Sequence, residues 1–333
     1  MNQKLRVVSF GLGPIGQRAA ALAASKTSLD LVGAIDVDPA LVGRDLGELL
    51  GSDSVDGITV SADAAATLQD ARPDAVIHCT SSFLPVVGDQ LMAIAESGCN
   101  VISSTEELLW PRLQHPDIAD RIDQAAQAAN VSVLGTGVNP GFVMDCLPAF
   151  ASSVCYGVES VVCRRYVDAT PRRLPFQKKI GASMEVDQFN DLAAQGKLGH
   201  IGLRESIALL GAALGFELDT IKQDIQPIVA TRALETEYMQ IKEGQVAGIH
   251  NTGFGDERGK RRIEMDLRMY VGAEDPVDEC VFVSEPPMHL RIEGGTQGDF
   301  ATAAMLVNGL AGVVAAPPGL RTMLEVPLVH LVG

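Results

Sequence analysis

The chain of 333 residues is long enough to form two domains with substantial hydrophobic cores. Its composition, with 47% hydrophobic residues and 33 glycines, is typical of an α/β protein. The net charge of −16 argues against nucleic acid or an anionic membrane as a partner.

The first predicted strand, residues 5–10, leads directly into a glycine-rich turn. Gly11, Gly13 and Gly16 form a G-x-G-x-x-G motif, and a helical pattern follows. In dinucleotide-binding folds these glycines allow a tight turn, the approach of the pyrophosphate, and close packing of the helix on the strand. The pyrophosphate binds at the N-terminus of that helix. The residues predicted to contact a cofactor here are Gly11, Leu12, Gly13, Pro14, Ile15 and Gly16.

The second predicted strand ends in Asp36, twenty residues after Gly16. An acid at this place accepts hydrogen bonds from the adenosine ribose and repels a 2′-phosphate. Asp36 therefore favours NAD, whereas Arg44 nearby leaves NADP open. The alternative interpretation is an ordinary strand–turn–helix with a solvated Asp36.

Strands and helices then alternate to about residue 135, which predicts a doubly wound, mostly parallel sheet. Ligands of such sheets bind beyond the carboxyl ends of the strands. Thr80, Ser81 and Ser82 follow one buried strand, so we expect them near the cofactor. The segments 103–107 and 135–141 follow two further strands and are expected at the same edge.

The predicted fold class is α/β, with an N-terminal Rossmann domain over residues 1–140 and a second α+β domain over 141–298. After a helix at 141–154, this second domain carries a basic loop, helices near 184–194 and 203–214, and a mixed or antiparallel sheet at 217–293. Residues 299–333 are expected to form a C-terminal helix and tail that return to the Rossmann domain.

Targeting and metal-binding signals are missing from the sequence. The glycine turn interrupts the first apolar run too early for a signal peptide, and no uninterrupted apolar stretch of about 18 residues occurs. The six cysteines show neither C-x-x-C pairs nor metal-ligand spacing, so we expect reduced, mainly buried thiols and no metal. These features predict a cytoplasmic protein.

Two adjacent acids, Glu106 and Glu107, follow the strand that ends near Ser103. Ser103 with Glu106, or Ser104 with Glu107, would form a capping box at the start of a helix. Alternatively, one glutamate caps while the other points into the cleft. The residues alone leave open which of the two is functional.

The segment Asn139-Pro140-Gly141 lies at the expected junction of the domains. Pro140 excludes helical geometry at Asn139. Asn139 is a candidate N-cap for the next helix, with Pro140 in its first position, and equally a candidate for holding the nicotinamide carboxamide.

Among the histidines, His78 lies within a strand and is expected to be a satisfied core residue, whereas His200 sits at a glycine-flanked turn and is a candidate for the cleft. One basic cluster is read either as a solvated loop or as a site for a substrate carboxylate. Its members are Arg164, Arg165, Arg172, Arg173, Lys178 and Lys179.

Several segments together resemble the native amine dehydrogenases and the related 2,4-diaminopentanoate dehydrogenases, within the dihydrodipicolinate reductase-like superfamily. The resemblance covers nearly the whole chain. The histidine-rich H-H-x-x-K signature of true dihydrodipicolinate reductases is missing. The segments that carry the resemblance are FGLGPIG, GAIDVDPALVGRDLGELLG, NVISSTEELLWP, GTGVNPGF, GKLGHIGLRES and GTQGDFATAAMLVNGLAGVVAAPPGL.

This resemblance implies a reversible reaction in which a ketone or aldehyde, ammonia and a reduced nicotinamide cofactor give an amine. It implies that Glu106 is the catalytic acid/base. Pocket positions of the family match Val143, Cys146, Leu147 and Tyr166, and His200 joins them as a candidate. The expected partners are a small amine or ketone and ammonia, and analogy with related folds suggests a homodimer.

Two alternatives to this activity stay open at this point. The basic cluster motivates a carboxylated diamine, 2,4-diaminopentanoate, as the substrate. The glycine turn alone would also suit a sensor that binds NAD without turnover.

Overall fold

The structure is a computed structural model, and it describes residues 4–332. The chain forms two compact units: the first ends at Phe142 and resumes at Gln297, and the second is Val143–Thr296. The sequence places these boundaries after residues 140 and 298. The outermost predicted bounds, 1 and 333, lie outside the described residues.

A seven-stranded sheet forms the centre of the first unit, and all its neighbouring strands are parallel. Strands and helices are numbered here along the whole chain. The strands of this sheet are β1 (Leu5–Phe10), β2 (Leu29–Ile35), β3 (Val60–Ser61), β4 (Ala75–His78), β5 (Asn100–Ser103), β6 (Ser132–Gly135) and β15 (Gly319–Arg321).

The order of these strands is β15-β6-β5-β4-β1-β2-β3. From β1 the chain winds outward through β2 to β3, and then returns to β4 on the other side of β1. The direction of winding therefore reverses between β1 and β4. Such a topological switch point opens a crevice at the carboxyl ends of the two strands, where doubly wound sheets bind ligands. This topology confirms the predicted Rossmann-type α/β fold.

Helices cover both faces of this sheet. Val7 and Val8 of β1 point to opposite faces and belong to two separate hydrophobic cores, as the two-residue period of a strand requires. The helices of the first unit are α1 (Pro14–Ala24), α2 (Leu46–Leu50), α3 (Ala64–Ala71), α4 (Leu84–Glu96), α5 (Pro116–Ala128), α10 (Gly298–Asn308) and α11 (Leu310–Ala315).

The stretch Gly298–Ala315 is, within residues 4–332, the one helical stretch long and apolar enough to cross a membrane by length and composition. Here it is divided into α10 and α11. Ala303, Leu306 and Val313 of these helices are fully buried in a core of the first unit. Helices that build a core pass the same test of length and composition, so this stretch is weak evidence for a membrane span.

The segment after β5 is not one continuous helix. It forms two short 3₁₀ turns, Glu106–Leu109 and Pro111–Leu113, and α5 begins only at Pro116. Pro111 and Pro116 lack the backbone N–H that a helix interior uses, so each begins a new helical segment.

A six-stranded mixed sheet forms the second unit, with the order β14-β13-β7-β12-β11-β8. Only the β7–β12 pair is parallel, and the other neighbours are antiparallel. Its strands are β7 (Gly157–Asp168), β8 (Thr220–Val229), β11 (Val246–Glu257), β12 (Lys260–Tyr270), β13 (Val277–Glu285) and β14 (Met288–Glu293), and a separate two-stranded ribbon consists of β9 (Leu234–Glu235) and β10 (Gln240–Ile241).

The helices of the second unit are α6 (Cys146–Ala151), α7 (Leu174–Lys179), α8 (Val186–Ala194) and α9 (Leu203–Leu214). The predictions near 184–194 and 203–214 are confirmed. The expected helix at 141–154 is shorter, because residues 139–145 form turns and Asp145 caps α6 through the N–H of Cys146. The expected loop around 171–179 contains α7, with Pro175 in its first turn.

Candidate functional site

The glycine turn lies at the switch point between β1 and β4. Gly11 has a φ of +90°, and a Cβ there would collide with the carbonyl oxygen of Cys79 at the end of β4. A Cβ on Gly16 would collide with the carbonyl oxygen of Gly11. Both positions therefore require glycine, because the turn, α1 and β4 approach each other at backbone distance.

Gly13 differs from these two glycines. Within the described part of the chain, a Cβ at Gly13 would have no heavy atom within 4 Å, and its φ of −64° suits any residue. Gly13 is also the N-cap of α1, and no side chain of residues 4–332 caps this helix end. Open space in front of free helix N–H groups is what a pyrophosphate needs, so the residues present fit a dinucleotide.

Asp36 follows β2 at the same edge of the sheet. Its carboxylate accepts the backbone N–H of Leu12 at 2.5 Å and that of Asp38 at 2.8 Å. The structure thus joins two predicted cofactor residues, Leu12 and Asp36, through a direct hydrogen bond. The half-buried carboxylate is fixed beside the glycine turn, the position expected of an acid that faces the adenosine ribose.

The segment after β4 is held by two neighbouring elements. Thr80 Oγ1 donates to Gln90 Oε1 at 2.9 Å, and the carbonyl of Ser81 accepts a hydrogen bond from Thr105 Oγ1, also at 2.9 Å. The carbonyl of Ser82 accepts the N–H of Glu107 at 3.2 Å. The predicted cofactor residues Thr80, Ser81 and Ser82 therefore lie between the glycine turn and the segment that follows β5.

Asn139 lies in the turn that follows β6. The Thr136 N–H bonds to the Ser103 carbonyl at 2.9 Å, so this turn begins at the edge where Glu106 also lies. The Asn139–Pro140 peptide is cis, and the turn continues to residue 145. Asn139 is thus not the N-cap of a helix and Pro140 is not a first helical residue, because Asp145 caps α6 instead.

The two adjacent glutamates have different surroundings. Glu107 is 8% exposed, its Oε2 accepts the N–H of Leu84 at 2.7 Å, and the same oxygen lies 3.1 Å from His115 Nε2. It therefore caps α4, a helix distant in sequence, and neither predicted capping box forms. Glu106 is only half-buried, with its Oε2 atom inside the protein. The Glu107 carboxylate is thus engaged at the start of α4, whereas the half-buried Glu106 lies at the edge of the sheet that carries the glycine turn.

His78 is a core residue, as expected from its place within a strand. Its Nδ1 lies 2.9 Å from Ser103 Oγ, and its Nε2 lies 3.0 Å from both Gln90 Oε1 and Thr80 Oγ1. Burial lowers the pKa of His78 to about 4, so the ring is neutral at physiological pH. It links the ends of β4 and β5 without carrying charge.

Four of the proposed pocket residues belong to the second unit, and they lie on the face of its sheet that α9 covers or just before that face begins. Val143 accepts a weak hydrogen bond from Cys280 Sγ, and Cys146 and Leu147 begin α6. Burial and the neighbouring Asp145 raise the pKa of the Cys146 thiol. The structure thus places Cys146 in the thiol form expected from the sequence.

His200, the fourth of these residues, is 8% exposed. Burial, together with the positive charges of Lys179 and Arg165, lowers the pKa of His200 to about 3. The imidazole is therefore neutral and suited to hydrogen bonding rather than to pairing with an anion.

Tyr166 lies on the opposite face of that sheet. Along β7, Cys163 and Arg165 are buried on the α9 side, so Tyr166 projects the other way. Its hydroxyl donates to Asp266 Oδ2 at 2.8 Å, and the Arg268 guanidinium lies 4.7 Å from the ring centre. Within the second unit, the structure does not bring Tyr166 together with Val143 and Cys146.

A cavity of about 750 Å³ lies at this face, and Tyr166, His250 and Arg268 contribute to its lining. His250 Nε2 lies 2.8 Å from Asp266 Oδ1, and Arg268 donates to both Asp266 oxygens at 3.0 and 2.9 Å. The opposite charges of Asp266 and Arg268 are thus paired with each other. The sequence does not reveal this network, because its members come from three strands, with Tyr166 on β7, His250 on β11, and Asp266 and Arg268 on β12.

The basic cluster is neither a solvated loop nor one site. Arg165 is buried and bonds to Asp278 at 2.5 Å and to the Thr296 carbonyl at 2.8 Å. Arg164 pairs with Glu279 at 2.6 Å. Buried Arg172 stacks on Phe176, whereas Lys178 and Lys179 are exposed. Arg164 and Arg165 therefore stabilise the sheet by pairing across strands, because their carboxylate partners lie on the neighbouring strand β13.

Comparisons with known proteins identify the relatives of this chain. The family model described as "2,4-diaminopentanoate dehydrogenase C-terminal domain" matches residues 142–332. The 2,4-diaminopentanoate dehydrogenase of Acetoanaerobium sticklandii is 32% identical, over 98% of this chain and 94% of its own length. The chain belongs to the 2,4-diaminopentanoate dehydrogenase family.

Two amine dehydrogenases are also similar to this family member. One from Streptomyces virginiae is 25% identical over 99% of this chain and 98% of its own. The solved structure of an amine dehydrogenase from Mycobacterium smegmatis has a TM-score of 0.87 at 25% identity, covering 99% of this chain and 98% of that one. These similarities confirm the family expected from the sequence motifs.

The open space at Gly13 yields a prediction for this member of the 2,4-diaminopentanoate dehydrogenase family. Gly13→Val should change the melting temperature without cofactor little, because a Cβ at this position has no described heavy atom within 4 Å. If the pyrophosphate binds at the glycine turn as predicted, the valine would obstruct it and weaken nicotinamide-cofactor binding about tenfold or more. Titration of cofactor fluorescence, with a thermal melt, measures both effects.

The matched control is Gly157→Val at the start of β7, where a Cβ also meets no described atom within 4 Å. This variant should bind the cofactor as the wild type does. An unchanged dissociation constant for Gly13→Val would exclude the glycine turn as the pyrophosphate site.

Proposed function

We propose that this protein is a nicotinamide-dependent amine dehydrogenase that interconverts a small amine with a ketone or aldehyde and ammonia. One observation carries the proposal most: the half-buried carboxylate of Glu106 follows β5, the second strand from the switch point where the glycine turn lies. The membership in a family of amine-oxidising dehydrogenases supports it.

The proposed cofactor is NAD, with NADP as the alternative. The glycine turn and the N-terminus of α1 would hold the pyrophosphate, and Thr80, Ser81, Ser82 and Asn139 would line the cofactor further along the edge. The Asp36 carboxylate beside Leu12 supports NAD, because it would repel a 2′-phosphate. When bound, the cofactor supplies or accepts the hydride at nicotinamide C4.

We propose Glu106 as the catalytic acid/base. In the direction of amine formation, its carboxylate takes a proton from ammonium, which gives neutral ammonia able to add to the substrate carbonyl. The same group then protonates the hydroxyl of the resulting carbinolamine, so that water leaves and an iminium forms. The Glu106 carboxylate regenerated by this step stabilises the iminium by its negative charge.

The second unit contributes the proposed substrate-binding residues Val143, Cys146, Leu147 and His200. Neutral His200 would donate or accept a hydrogen bond to a polar substrate without attracting an anion. Tyr166 is included from the resemblance alone. A homodimer and a cytoplasmic location also belong to the proposal.

A second candidate is the oxidation of 2,4-diaminopentanoate itself. The name of the Acetoanaerobium sticklandii relative favours it. The basic cluster supports it less than the sequence suggested, since Arg164 and Arg165 pair with Glu279 and Asp278. If neutralising Arg172 and Lys178 leaves the kinetics with this substrate unchanged, the cluster has no part in binding its carboxylate.

The test mixes the protein with NADH, ammonia and a panel of aliphatic and cyclic ketones, and follows the absorbance of NADH. We expect NADH consumption that requires both ammonia and ketone, and the same panel with NADPH measures the cofactor preference. Ammonia-dependent steady-state turnover would exclude a sensor that only binds NAD. If neither NADH nor NADPH is consumed with any of the ketones and ammonia, the proposed activity is contradicted.

A further inference from the structure

The turn that carries Glu106 is attached to α4 through its next residue. Glu107 Oε2 accepts the N–H of Leu84, the first residue of α4, at 2.7 Å, and this oxygen lies 3.1 Å from His115 Nε2. The Glu107 carboxylate is almost completely buried. The free N–H groups at the start of a helix favour a negative charge, so this contact is a strong one.

The residue before Glu106 provides a second attachment. Thr105 is 1% exposed, and its hydroxyl donates to the Ser81 carbonyl at 2.9 Å while accepting a hydrogen bond from Ser103 Oγ at 2.9 Å. Glu106 is thus flanked on both sides by residues bound to the segment between β4 and α4. This segment also contains the proposed cofactor residues Ser81 and Ser82.

Strand β6 closes the third side of the turn. A Cβ on Gly135 would lie 2.6 Å from the backbone carbon of Leu108, so the turn Glu106–Leu109 packs directly on the backbone of β6. With these three restraints, the backbone at Glu106 has little freedom to move relative to the edge of the sheet.

We infer that Glu107 is a positioning residue, which fixes the Glu106 carboxylate relative to the cofactor edge by anchoring its turn to the N-terminus of α4. This inference rests on the proposed role of Glu106 as acid/base. The two adjacent acids then have different roles: buried Glu107 holds the turn, and half-buried Glu106 exchanges protons. A displacement of about 1 Å at a catalytic group can cost about a hundredfold in rate.

The test measures kcat, KM for the amine and the cofactor dissociation constant of Glu107→Ala and Glu107→Gln, at concentrations corrected for folded protein. Glu107→Ala should lower kcat by about 10- to 100-fold with little change in the cofactor constant. Glu107→Gln keeps an oxygen that can accept the Leu84 N–H, so it should recover most of kcat.

Asp123→Ala is the matched control. Asp123 accepts the N–H of Leu320 at 2.8 Å and lies 3.4 Å from Arg112, so, like Glu107, it contacts both a backbone N–H and a side-chain nitrogen. It ties α5 to the edge strand β15 rather than holding the turn of Glu106. Its loss should lower the melting temperature and leave kcat unchanged.

A double-variant cycle with Glu106→Gln separates the inference from the proposed function. If Glu107 acts through Glu106, Glu107→Ala should cause no further loss of kcat in the Glu106→Gln background. If the kcat losses of the two single variants multiply in the double variant, or if Glu107→Ala only lowers the melting temperature, the positioning role is overturned. An inactive Glu106→Gln would still support the proposed function in either case. Full activity of Glu106→Gln would instead contradict the proposed function.

If Glu107→Ala does not fold, Thr105→Val decides the question. This change keeps the volume of the buried side chain and removes only its hydrogen bonds to Ser81 and Ser103. A lowered kcat that disappears in the Glu106→Gln background supports the anchored turn. An unchanged kcat in Thr105→Val overturns it.

Discussion

Glu106→Gln should lower kcat for reductive amination by about 100- to 10,000-fold, the range typical of a lost general acid/base. Glutamine has nearly the same shape, but it neither takes the proton of ammonium nor protonates the leaving hydroxyl. The cofactor dissociation constant should remain unchanged, because the glycine turn and Asp36 are intact. Steady-state kinetics and a cofactor titration on the same preparation give both values.

Glu96→Gln is the control for this substitution. Glu96 is exposed at the last residue of α4, the end of the helix opposite to the Glu107 cap. It should keep wild-type kcat. Turnover of Glu106→Gln at the wild-type rate would remove Glu106 from the mechanism and direct attention to Glu107.

Acidification from neutral pH to pH 5 should reduce the free energy of unfolding by about 4 kcal/mol through two buried histidines, roughly 2 kcal/mol from each. Burial lowers the pKa of His78 to about 4 and, with Lys179 and Arg165 nearby, that of His200 to about 3. Both rings bind a proton in the unfolded chain below pH 6.5 but stay neutral in the folded protein. Stability therefore falls as the pH falls from 6.5 toward 4.

Urea unfolding at several pH values between 8 and 5 measures this loss in a range above the usual pKa of carboxyl groups. His200→Asn and His78→Gln should each remove about half of the pH-dependent loss, whatever their effect on stability at pH 8. If a variant loses as much stability on acidification as the wild type, the histidine that it replaces is protonated in the folded wild-type protein.

Local signals explain why so much of the first unit could be predicted. The glycine motif, the alternation of strands and helices, and Asp36 are each readable within a few residues of sequence. The structure places Gly11 and Gly16 where only glycine fits, and it joins Asp36 to the turn through Leu12. Each of these predictions depended on backbone geometry that neighbouring residues determine.

The errors occurred where a local pattern competes with a distant partner. Ser103-x-x-Glu106 and Ser104-x-x-Glu107 match the capping box, yet Glu107 binds Leu84, 23 residues away in sequence. Arg165 seemed to belong to a basic cluster, but it pairs with Asp278, 113 residues further along. Only the arrangement of the strands brings these partners together, so the sequence spacing contained no signal for them.

The same limit applies to the candidate substrate residues. The resemblance groups Tyr166 with Val143 and Cys146, whereas the alternation along β7 turns Tyr166 away from the face of Cys163. Strand alternation was readable in the sequence, but which face α9 covers was not. The role of Glu106 and the composition of the pocket therefore both stay predictions from the resemblance.

The most direct measurement is the incorporation of nitrogen-15 from labelled ammonia into the product of the NADH-dependent reaction, followed by mass spectrometry. An amine dehydrogenase should form a labelled amine in the same amount as the NADH consumed. Formation of an alcohol, or consumption of NADH that does not depend on ammonia, would contradict the proposed reaction.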